Sequence, residues 1–283
     1  MRLYAKEGNR TESTVRAPNW RKLLRSWDAQ QESFNRLRER RFTVMLDALG
    51  ASVPRRFTAL DLGSGPGSLS ARILRRFPGA RVVAVDYDPV TLRIGRGALG
   101  SFRGRLTWVD ARLGSPGWTD RLPVTKVDAA LSTTALHWLT EPELFSVYRD
   151  LARLLRRGGV FLNGDHLPWD ARSPGLRRLA EKVRRQRTRG AALGTEWSAW
   201  KEWWDAAERI PALGPYFEER KRRSASHPRH GEVALSVHES ALRRAGFRDI
   251  GVVWQDMTNR VLFARRGAST RGRRTKGIGT EPR

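Results

Sequence analysis

The chain has 283 residues, of which 39% are hydrophobic, so it is long enough for one large α/β domain or for one with an inserted cap. It contains no cysteine, which excludes disulfides, thiolate catalysis and cysteine-based metal sites. The formal net charge of +25 could indicate a nucleic-acid partner, but the basic residues are spread along the chain and are mostly arginine, as a GC-rich coding sequence would give, so we favour the interpretation without such a partner.

We expect the N-terminal residues 1–17 to be a loose polar arm, and they lack the apolar region of a signal peptide. No run in the chain is long enough to span a bilayer, so we expect a cytoplasmic protein with no membrane span. Apolar residues then recur at near-helical spacing and predict a helix with Ser26 as its N-cap and Gly50 at its end. We assign residues 1–50 to an N-terminal arm and capping helices.

Strands and helices alternate from Arg56 to Asn163, which is typical of a parallel sheet with helices on both faces. Residues 51–166 form this core in our prediction. Its strands are expected at 56–62, 81–85, 105–109, 127–132 and 160–163, and its helices near Ser68 and at 89–99 and 141–155.

The alternation stops after Asp165, and residues 167–237 are predicted to be a helical cap rich in tryptophan. Residues 238–265 then complete the core with a helix at 238–245 and two strands at 249–254 and 260–264. A short turn joins these two strands, so the final strand should be antiparallel to its neighbour. Residues 266–283 are rich in arginine, glycine and threonine and should be a disordered basic tail.

Residues 59–68 read ALDLGSGPGS, which is a short apolar strand, a loop with glycine at every second position, and a helix start. Glycine permits a tight turn and the close approach of a ligand to the main chain, so the segment predicts a nucleotide-type cofactor pocket. A dinucleotide motif would place its third glycine at Ser68 and an apolar residue at Asp61. A carboxylate at that position suits a ligand with a cationic group and would repel a pyrophosphate.

Two further acids follow the next two predicted strands. Asp86 ends the second strand, about twenty residues after the glycines, where an acid can accept both ribose hydroxyls. Asp110 ends the third strand, where it or its neighbour Ala111 could bind an adenine amino group. Each acid alone is as consistent with a solvated loop, but the carboxyl ends of parallel strands meet at one edge, so the set predicts one site.

On these residues the chain resembles class I S-adenosylmethionine-dependent methyltransferases, over roughly 26–166 and 238–265. The resemblance implies a Rossmann-like, seven-stranded, mostly parallel sheet whose last strand inserts antiparallel beside the fifth. It also implies S-adenosylmethionine as the cofactor, with the ribose hydroxyls on Asp86 and the adenine at Asp110 and Ala111. The expected cofactor-binding residues are Asp61, Gly63, Gly65, Gly67, Asp86, Tyr87, Asp110, Ala111 and Thr133.

The segment after the fourth predicted strand reads STTALHWL and resembles the His-Trp motif of small-molecule methyltransferases, such as those of the trans-aconitate, ubiquinone and biotin pathways. It departs from the Asn/Asp-Pro-Pro-aromatic motif of amino-directed nucleic-acid methyltransferases. His137 lies in this segment and titrates in the range of a general base, so it is the candidate catalytic residue. The alternative is that His137 only packs or hydrogen-bonds to hold its loop.

Candidate substrate-binding residues lie on both sides of the expected pocket. Asp165 and His166 follow the fifth strand, where Asp165 could bind a substrate amine or orient a histidine. The N-terminal helix would close the pocket from the other side with Trp27, Gln31 and Phe34.

Gln30 is a further candidate acceptor contact. Arg38 or Arg41 could bind the cofactor carboxylate, because a guanidinium matches a carboxylate in bidentate fashion, although either could equally be a solvated residue. The remaining histidines, His227, His230 and His238, have no convincing ligand spacing, so we expect no metal site.

Tryptophans of the predicted cap repeat at helical spacing, which places Trp197, Trp200 and Trp204 on one face. The face could form an aromatic wall over a flat or cationic acceptor, or the core of a cap packed on the sheet edge. We favour the core, and we expect the cap as a whole to select the substrate.

The sequence thus predicts a methyltransferase that transfers a methyl group from S-adenosylmethionine to a small-molecule acceptor by in-line displacement. Two alternatives are an RNA methyltransferase that uses the basic surface and tail, and a non-catalytic binding protein on the same fold. The complete set of glycines and acids argues against the second alternative. The acceptor and the oligomeric state are not determined by the sequence.

Overall fold

The computed structural model describes residues 18–35, 37–188, 195–224 and 233–267, and this part of the chain contains seven strands and nine α-helices. The strands are β1 Phe57–Leu62, β2 Ala80–Asp86, β3 Leu106–Asp110, β4 Val127–Thr133, β5 Leu155–His166, β6 Phe247–Asp256 and β7 Asn259–Arg266. The helices are α1 Trp20–Phe34, α2 Arg38–Gly50, α3 Ser68–Arg76, α4 Pro89–Leu99, α5 Glu141–Leu154, α6 Pro174–Thr188, α7 Thr195–Glu208, α8 Gly214–Ser224 and α9 Leu235–Arg244.

The strands form one sheet in the order β3-β2-β1-β4-β5-β7-β6. Strands β1 to β5 are parallel, and β7 pairs antiparallel with both β5 and β6. The predicted seven-stranded, mostly parallel sheet with its last strand beside the fifth is therefore confirmed. The carboxyl ends of β1 to β5 meet at one edge, where the predicted site residues are concentrated.

Both faces of the sheet are buried, which is why its central strands are almost continuously apolar. Leu60 and Leu62 of β1 belong to the apolar layer beneath α5 and α9. Phe57 and Ala59 of the same strand belong to the opposite layer, beneath α2 and α3. The glycine loop that follows β1 is thereby held between two packed layers.

The N-terminal region contains two helices, so the expectation of one helix from Ser26 to Gly50 is wrong. Helix α1 begins earlier, because the side chain of Asn19 accepts a hydrogen bond from Lys22 N at 3.0 Å and caps it. The Ser26 hydroxyl bonds within α1 to Leu23 O. The helices are separated near Leu37, whose φ of 70° is left-handed, and the apolar spacing that continues through both helices does not mark this break.

The cap helices α7 and α8 pack against α1 and α4 rather than standing free. Trp203 and Trp204 are each 8% exposed and share an apolar cluster with Leu24, Ile94 and Phe217. The side chain of Trp197 lies outside the described residues, as do His227, His230 and residues 268–283 of the expected tail. The described tryptophans therefore serve mainly as a core, and they bring α8 over the carboxyl edge of the sheet.

Candidate active site

The loop between β1 and α3 turns through three left-handed glycines. Gly63, Gly65 and Gly67 have φ of 67°, 53° and 84°, values that residues with a side chain rarely adopt. The N–H groups of Gly63 and Ser64 both donate to Val85 O, at 2.8 and 3.0 Å. These bonds fix the loop at the carboxyl ends of β1 and β2.

The three glycines have different surroundings. A Cβ on Gly63 would overlap the side chain of Ala135, and one on Gly67 would lie 2.6 Å from an aromatic ring of β3. At Gly65 the nearest atom would be 3.9 Å away, on the ring of Trp27. Packing within the protein therefore accounts for Gly63 and Gly67, whereas the space at Gly65 can admit a ligand.

Asp61 is completely buried beside this loop. Its Oδ2 accepts hydrogen bonds from the backbone N and the hydroxyl of Ser70, at 2.9 and 2.6 Å. Its Oδ1 is buried and has no hydrogen-bond partner among the described residues. Burial raises the pKa of Asp61 to about 6 against the opposing effect of the two Ser70 bonds. A carboxylate oxygen in this state favours a cationic or hydrogen-bond-donating ligand.

Asp86 joins the ends of β1 and β2. Its Oδ2 accepts from Gly65 N at 2.7 Å, and its Oδ1 accepts from the N–H groups of Tyr87 and Asp88 at 2.7 and 2.8 Å. Burial raises its pKa to about 6, although these N–H donors oppose the shift. A carboxylate has about four lone-pair sites, so one site on Oδ2 remains for a further donor.

At the end of β3, Ala111 was expected to bind the adenine. Its backbone N–H already donates a hydrogen bond to Asp86 O at 2.9 Å. Asp110 forms a bidentate ion pair with Arg223 of α8, whose Nη1 and Nη2 lie 2.8 and 3.0 Å from its two oxygens. The guanidinium also lies over the ring of Tyr87, at 4.6 Å from the ring centroid.

Strands β4 and β5 end in buried polar groups that lack partners. Thr133 Oγ1, both amide atoms of Asn163 and Asp165 Oδ2 have no hydrogen-bond partner in the part of the chain that the structure describes. Buried polar groups are normally hydrogen-bonded, and such a concentration is typical of a site that a ligand or water completes. Thr133 was predicted to bind cofactor; Asn163 was missed, because it reads as one more residue of an apolar strand.

Asp165 is buried at this edge and pairs with His137, whose side chain is 22% exposed. His137 Nδ1 lies 2.8 Å from Asp165 Oδ1, which also accepts from His166 N at 2.8 Å. Burial alone would raise the pKa of Asp165, but the charge and hydrogen bond of His137 and the charge of Arg41 lower it to about 2. Asp165 is therefore ionised at neutral pH and orients the imidazole of His137, one of the two roles expected for it.

His166 is tied to the N-terminal region. Its Nε2 lies 3.2 Å from Asn35 Oδ1, and its Nδ1 lies 3.5 Å from Thr258 Oγ1. Burial lowers the pKa of His166 despite the nearby charge of Asp165. A neutral His166 with both ring nitrogens in these contacts connects β5 to Asn35 and Thr258, and its role is to position these residues rather than to transfer protons.

The candidate substrate-binding residues of α1 differ in their surroundings. Trp27 packs against Trp203 with ring centroids 4.9 Å apart, and it borders the open space at Gly65. Gln31 Oε1 accepts a hydrogen bond from Nδ2 of Asn35, which caps the C-terminus of α1. The buried amide of Gln30 has no hydrogen-bond partner in the described ranges. The side chain of Phe34 lies outside the described residues.

The structure distinguishes Arg38 from Arg41. Arg38 is paired with Asp28 at 3.0 Å. Arg41 is completely buried, and Nη1 donates to Asn259 Oδ1 at 3.1 Å, while Nε and Nη2 have no hydrogen-bond partner among the described residues. Burial lowers the pKa of Arg41 to about 10, so it is still charged at neutral pH. Its side chain packs against Gly164, at the carboxyl end of β5.

Two further results bear on metals and membranes. His238 Nδ1 lies 2.6 Å from the Tyr148 hydroxyl, and no group of three or more acidic or histidine side chains suited to a metal ion occurs among the described residues. Within the same ranges, no helix combines the length and the apolar character needed to cross a membrane.

Comparison with known proteins finds similarity to a methyltransferase family and to individual methyltransferases. Residues 59–159 match the family described as methyltransferase domain. A trans-aconitate 2-methyltransferase of Azoarcus sp. (strain BH72) is 33% identical over 172 residues, which is 55% of this chain and 62% of that protein. One of Mycobacterium sp. (strain KMS) is 38% identical over 116 residues, 40% of either chain. The alignments thus span less than two thirds of these relatives.

Solved structures share the fold at low sequence identity. Human N-acetylserotonin methyltransferase in complex with SAM has a TM-score of 0.51 at 17% identity, covering 87% of this chain and 56% of that one. A putative O-methyltransferase from Nostoc punctiforme has a TM-score of 0.54 at 13% identity, covering 87% of this chain and 59% of that one.

Proposed function

The chain carries a class I S-adenosylmethionine-dependent methyltransferase domain, and we propose that it transfers a methyl group to a small carboxylic acid. The observation that carries this proposal is a concentration of buried polar atoms at the carboxyl edge of the sheet, beside the glycine loop, that have no hydrogen-bond partner in the described ranges of the chain. The family uses S-adenosylmethionine, and the first relatives are named as trans-aconitate methyltransferases, so both the donor and a carboxylate acceptor agree with the site.

The residues at the glycine loop fit S-adenosylmethionine. Asp61 Oδ1 lacks a partner among the described residues, and the space at Gly65 is open, which suits a ligand that carries cationic groups and lies against bare main chain. Asp86 keeps one lone-pair site for a ribose hydroxyl, and Asp110 and Thr133 complete the set. When bound, the cofactor supplies a methyl group activated by a sulfonium, with a neutral thioether as the leaving group.

Arg41 is the residue that we assign to the acceptor. Two nitrogens of this buried guanidinium have no partner within the part of the chain that the structure describes, and such a group is costly unless a ligand supplies the missing acceptors. Nε and Nη2 form one edge of the guanidinium, and this edge matches the two oxygens of a carboxylate. The position of Arg41 beside Gly164 and its charge interaction with Asp165 support recognition of the acceptor near the His137–Asp165 pair.

An acceptor carboxylate is ionised at neutral pH and loses no proton when it is methylated, so the His137–Asp165 pair is assigned to orienting the acceptor. Asp165 holds Nδ1 of His137, so the other ring nitrogen is the one that contacts the acceptor. Displacement at the methyl group otherwise requires alignment and the exclusion of water, which Trp27 and the packed cap provide.

The test uses labelled methyl donor and purified chain, with trans-aconitate and a panel of small carboxylic acids as acceptors. R41A should lower kcat/KM at least about thirtyfold, because it removes a buried charge partner of the acceptor. R40A is the matched control, since Arg40 is the exposed neighbour on the same helix. Binding of S-adenosylhomocysteine, measured by calorimetry, should be equal in both variants.

Other outcomes would redirect the proposal. If R41A loses affinity for S-adenosylhomocysteine, Arg41 binds the cofactor carboxylate and the acceptor assignment is wrong. Label that enters RNA rather than carboxylic acids, with binding that weakens steeply as salt is added, would support an RNA methyltransferase. H137A with unchanged turnover would leave His137 only the task of holding its loop.

A further inference from the structure

The acids that follow β2 and β3 are held by a helix of the cap. Arg223 of α8 donates to both oxygens of Asp110, at 2.8 and 3.0 Å, and to Tyr87 O at 2.6 Å. One turn earlier, Arg220 Nε lies 2.6 Å from Asp88 Oδ2. Two arginines of one helix face thus reach two different strand ends.

These contacts differ from those of the other basic residues of α8. Lys221 pairs with Glu218 three residues earlier in its own helix, and with Glu208 of the cap. Arg222 pairs only with Glu219, also three residues earlier, as far as the described residues show, and its side chain is 69% exposed. Exposed pairs of this kind contribute little, whereas a bidentate pair fixes geometry. The side chain of Arg223 is 20% exposed.

We propose that Arg223 is a positioning residue that orients Asp110 toward the exocyclic amine of the cofactor's purine, and so links cofactor binding to closure of the cap. This inference rests on the proposed function, because it takes the cofactor to be an adenosyl compound. Asp110 remains 34% exposed. A carboxylate has about four lone-pair sites, so the two used by Arg223 leave sites for an amine.

The linkage follows from the shared carboxylate. Arg223 connects Asp110 to α8, and α8 is anchored through Phe217 to the tryptophan cluster that also contains Trp204. A ligand that favours one orientation of Asp110 therefore favours the closed cap, and the closed cap favours the ligand by the same factor.

The experiment compares R223A, R223K and the matched control R222A. Calorimetry measures the affinity for S-adenosylhomocysteine and for S-inosylhomocysteine, which has a carbonyl in place of the purine amine. In wild type and R222A we expect a preference for the amine of at least about tenfold. R223A should lose most of this preference, and R223K should keep part of it, since lysine can pair with one oxygen but lacks the fork.

A second readout follows the cap directly. Hydrogen exchange of α8 should slow on addition of S-adenosylhomocysteine in wild type and R222A, but not in R223A. A merely structural role would weaken both ligands equally and leave the preference unchanged, which would overturn the proposal. Tighter binding by R223A would also overturn it, because Arg223 would then compete with the purine for Asp110.

The two proposals fail in different ways. Wild-type chain that binds neither ligand would overturn the proposed function, and with it this inference. Wild-type chain that prefers the amine, with R223A equal to R222A, would overturn the role of Arg223 alone.

Discussion

His137 Nδ1 and Asp165 Oδ1 lie 2.8 Å apart at the ends of two neighbouring parallel strands, and the carboxylate has no exposed surface. The pair can form only when β4 and β5 are in register, because His137 follows one strand and Asp165 ends the other. The contact that orients the imidazole therefore depends on the correct pairing of β4 with β5.

D165N should destabilise the chain at neutral pH. The pKa of Asp165 is lowered to about 2, below its ordinary value, so its stabilising effect is present above about pH 4 and is lost as pH falls towards 2. We expect a loss on the order of 2 kcal/mol in the free energy of unfolding at pH 7. Urea titrations at pH 7 and pH 3 measure this; an equal difference at both values would contradict it.

D61N should stabilise the chain at neutral pH, which is the opposite of the effect expected for D165N. The pKa of Asp61 is raised to about 6, so its protonated form favours the folded state below about pH 4 and this effect is lost as pH rises through 6. Asparagine can still accept from Ser70 and removes the buried charge, so unfolding at pH 7 should cost on the order of 2 kcal/mol more. Affinity for S-adenosylhomocysteine should fall.

The pH dependence supplies the control for D61N. Asp86 has a similarly raised pKa, so D61N should keep the part of the stability change between pH 4 and 6 that Asp86 causes and lose the part that Asp61 causes; a variant that keeps the whole change would contradict the role of Asp61. A variant that is less stable than wild type at pH 7 would show that the ionised Asp61 is better solvated than its burial indicates.

Alanine at two glycines of the loop should separate folding from binding. G63A places a Cβ on the side chain of Ala135 and should cost at least about 2 kcal/mol of stability. G65A meets no close atom and should cost about 1 kcal/mol of stability for its left-handed backbone. Relative to the stability that each variant loses, G65A should lose more cofactor affinity than G63A. Thermal unfolding and calorimetry on the same samples measure both quantities; equal stabilities would contradict the packing argument.

Substitutions of Trp204 test whether the cap tryptophans form a core. Its Nε1 is buried without a hydrogen-bond partner in the described ranges, so W204F removes little and should cost less than about 1.5 kcal/mol. W204A leaves a cavity between α1, α7 and α8 and should cost about 3–5 kcal/mol. If W204A is folded and equally stable but loses acceptor binding, the aromatic-wall interpretation is correct instead.

The features that were predictable are those with a local chemical cause. The glycine loop is recognisable because left-handed backbone requires glycine, and α4 because Pro89 follows its cap Asp88 and Gly100 ends it. The alternation of strands and helices fixes which strand ends share an edge, so the convergence of Asp61, Asp86 and Asp110 follows from order alone.

The features that were missed depend on tertiary packing. Arg223 reaches Asp110 across 113 residues, and among so many arginines only the docking of α8 selects it. Arg41 and Arg38 are three residues apart on one helix and both are buried, so the sequence does not show which is paired with an acid and which keeps two nitrogens without a partner among the described residues. Chain order likewise gives no sign of the left-handed residue Leu37 that separates α1 from α2.

The position of β7 has a consequence for synthesis. This strand emerges from the ribosome after every other strand, yet it lies between β5 and β6 and supplies the antiparallel partner of β5 from Val160 to His166. Until it arrives, the backbone of β5 is an open edge that carries Asp165, and exposed edges of this kind invite pairing with other chains. The nascent protein therefore depends on protection of β5 until synthesis reaches β7, and a fragment ending at residue 258, which contains β5 but lacks β7, should aggregate.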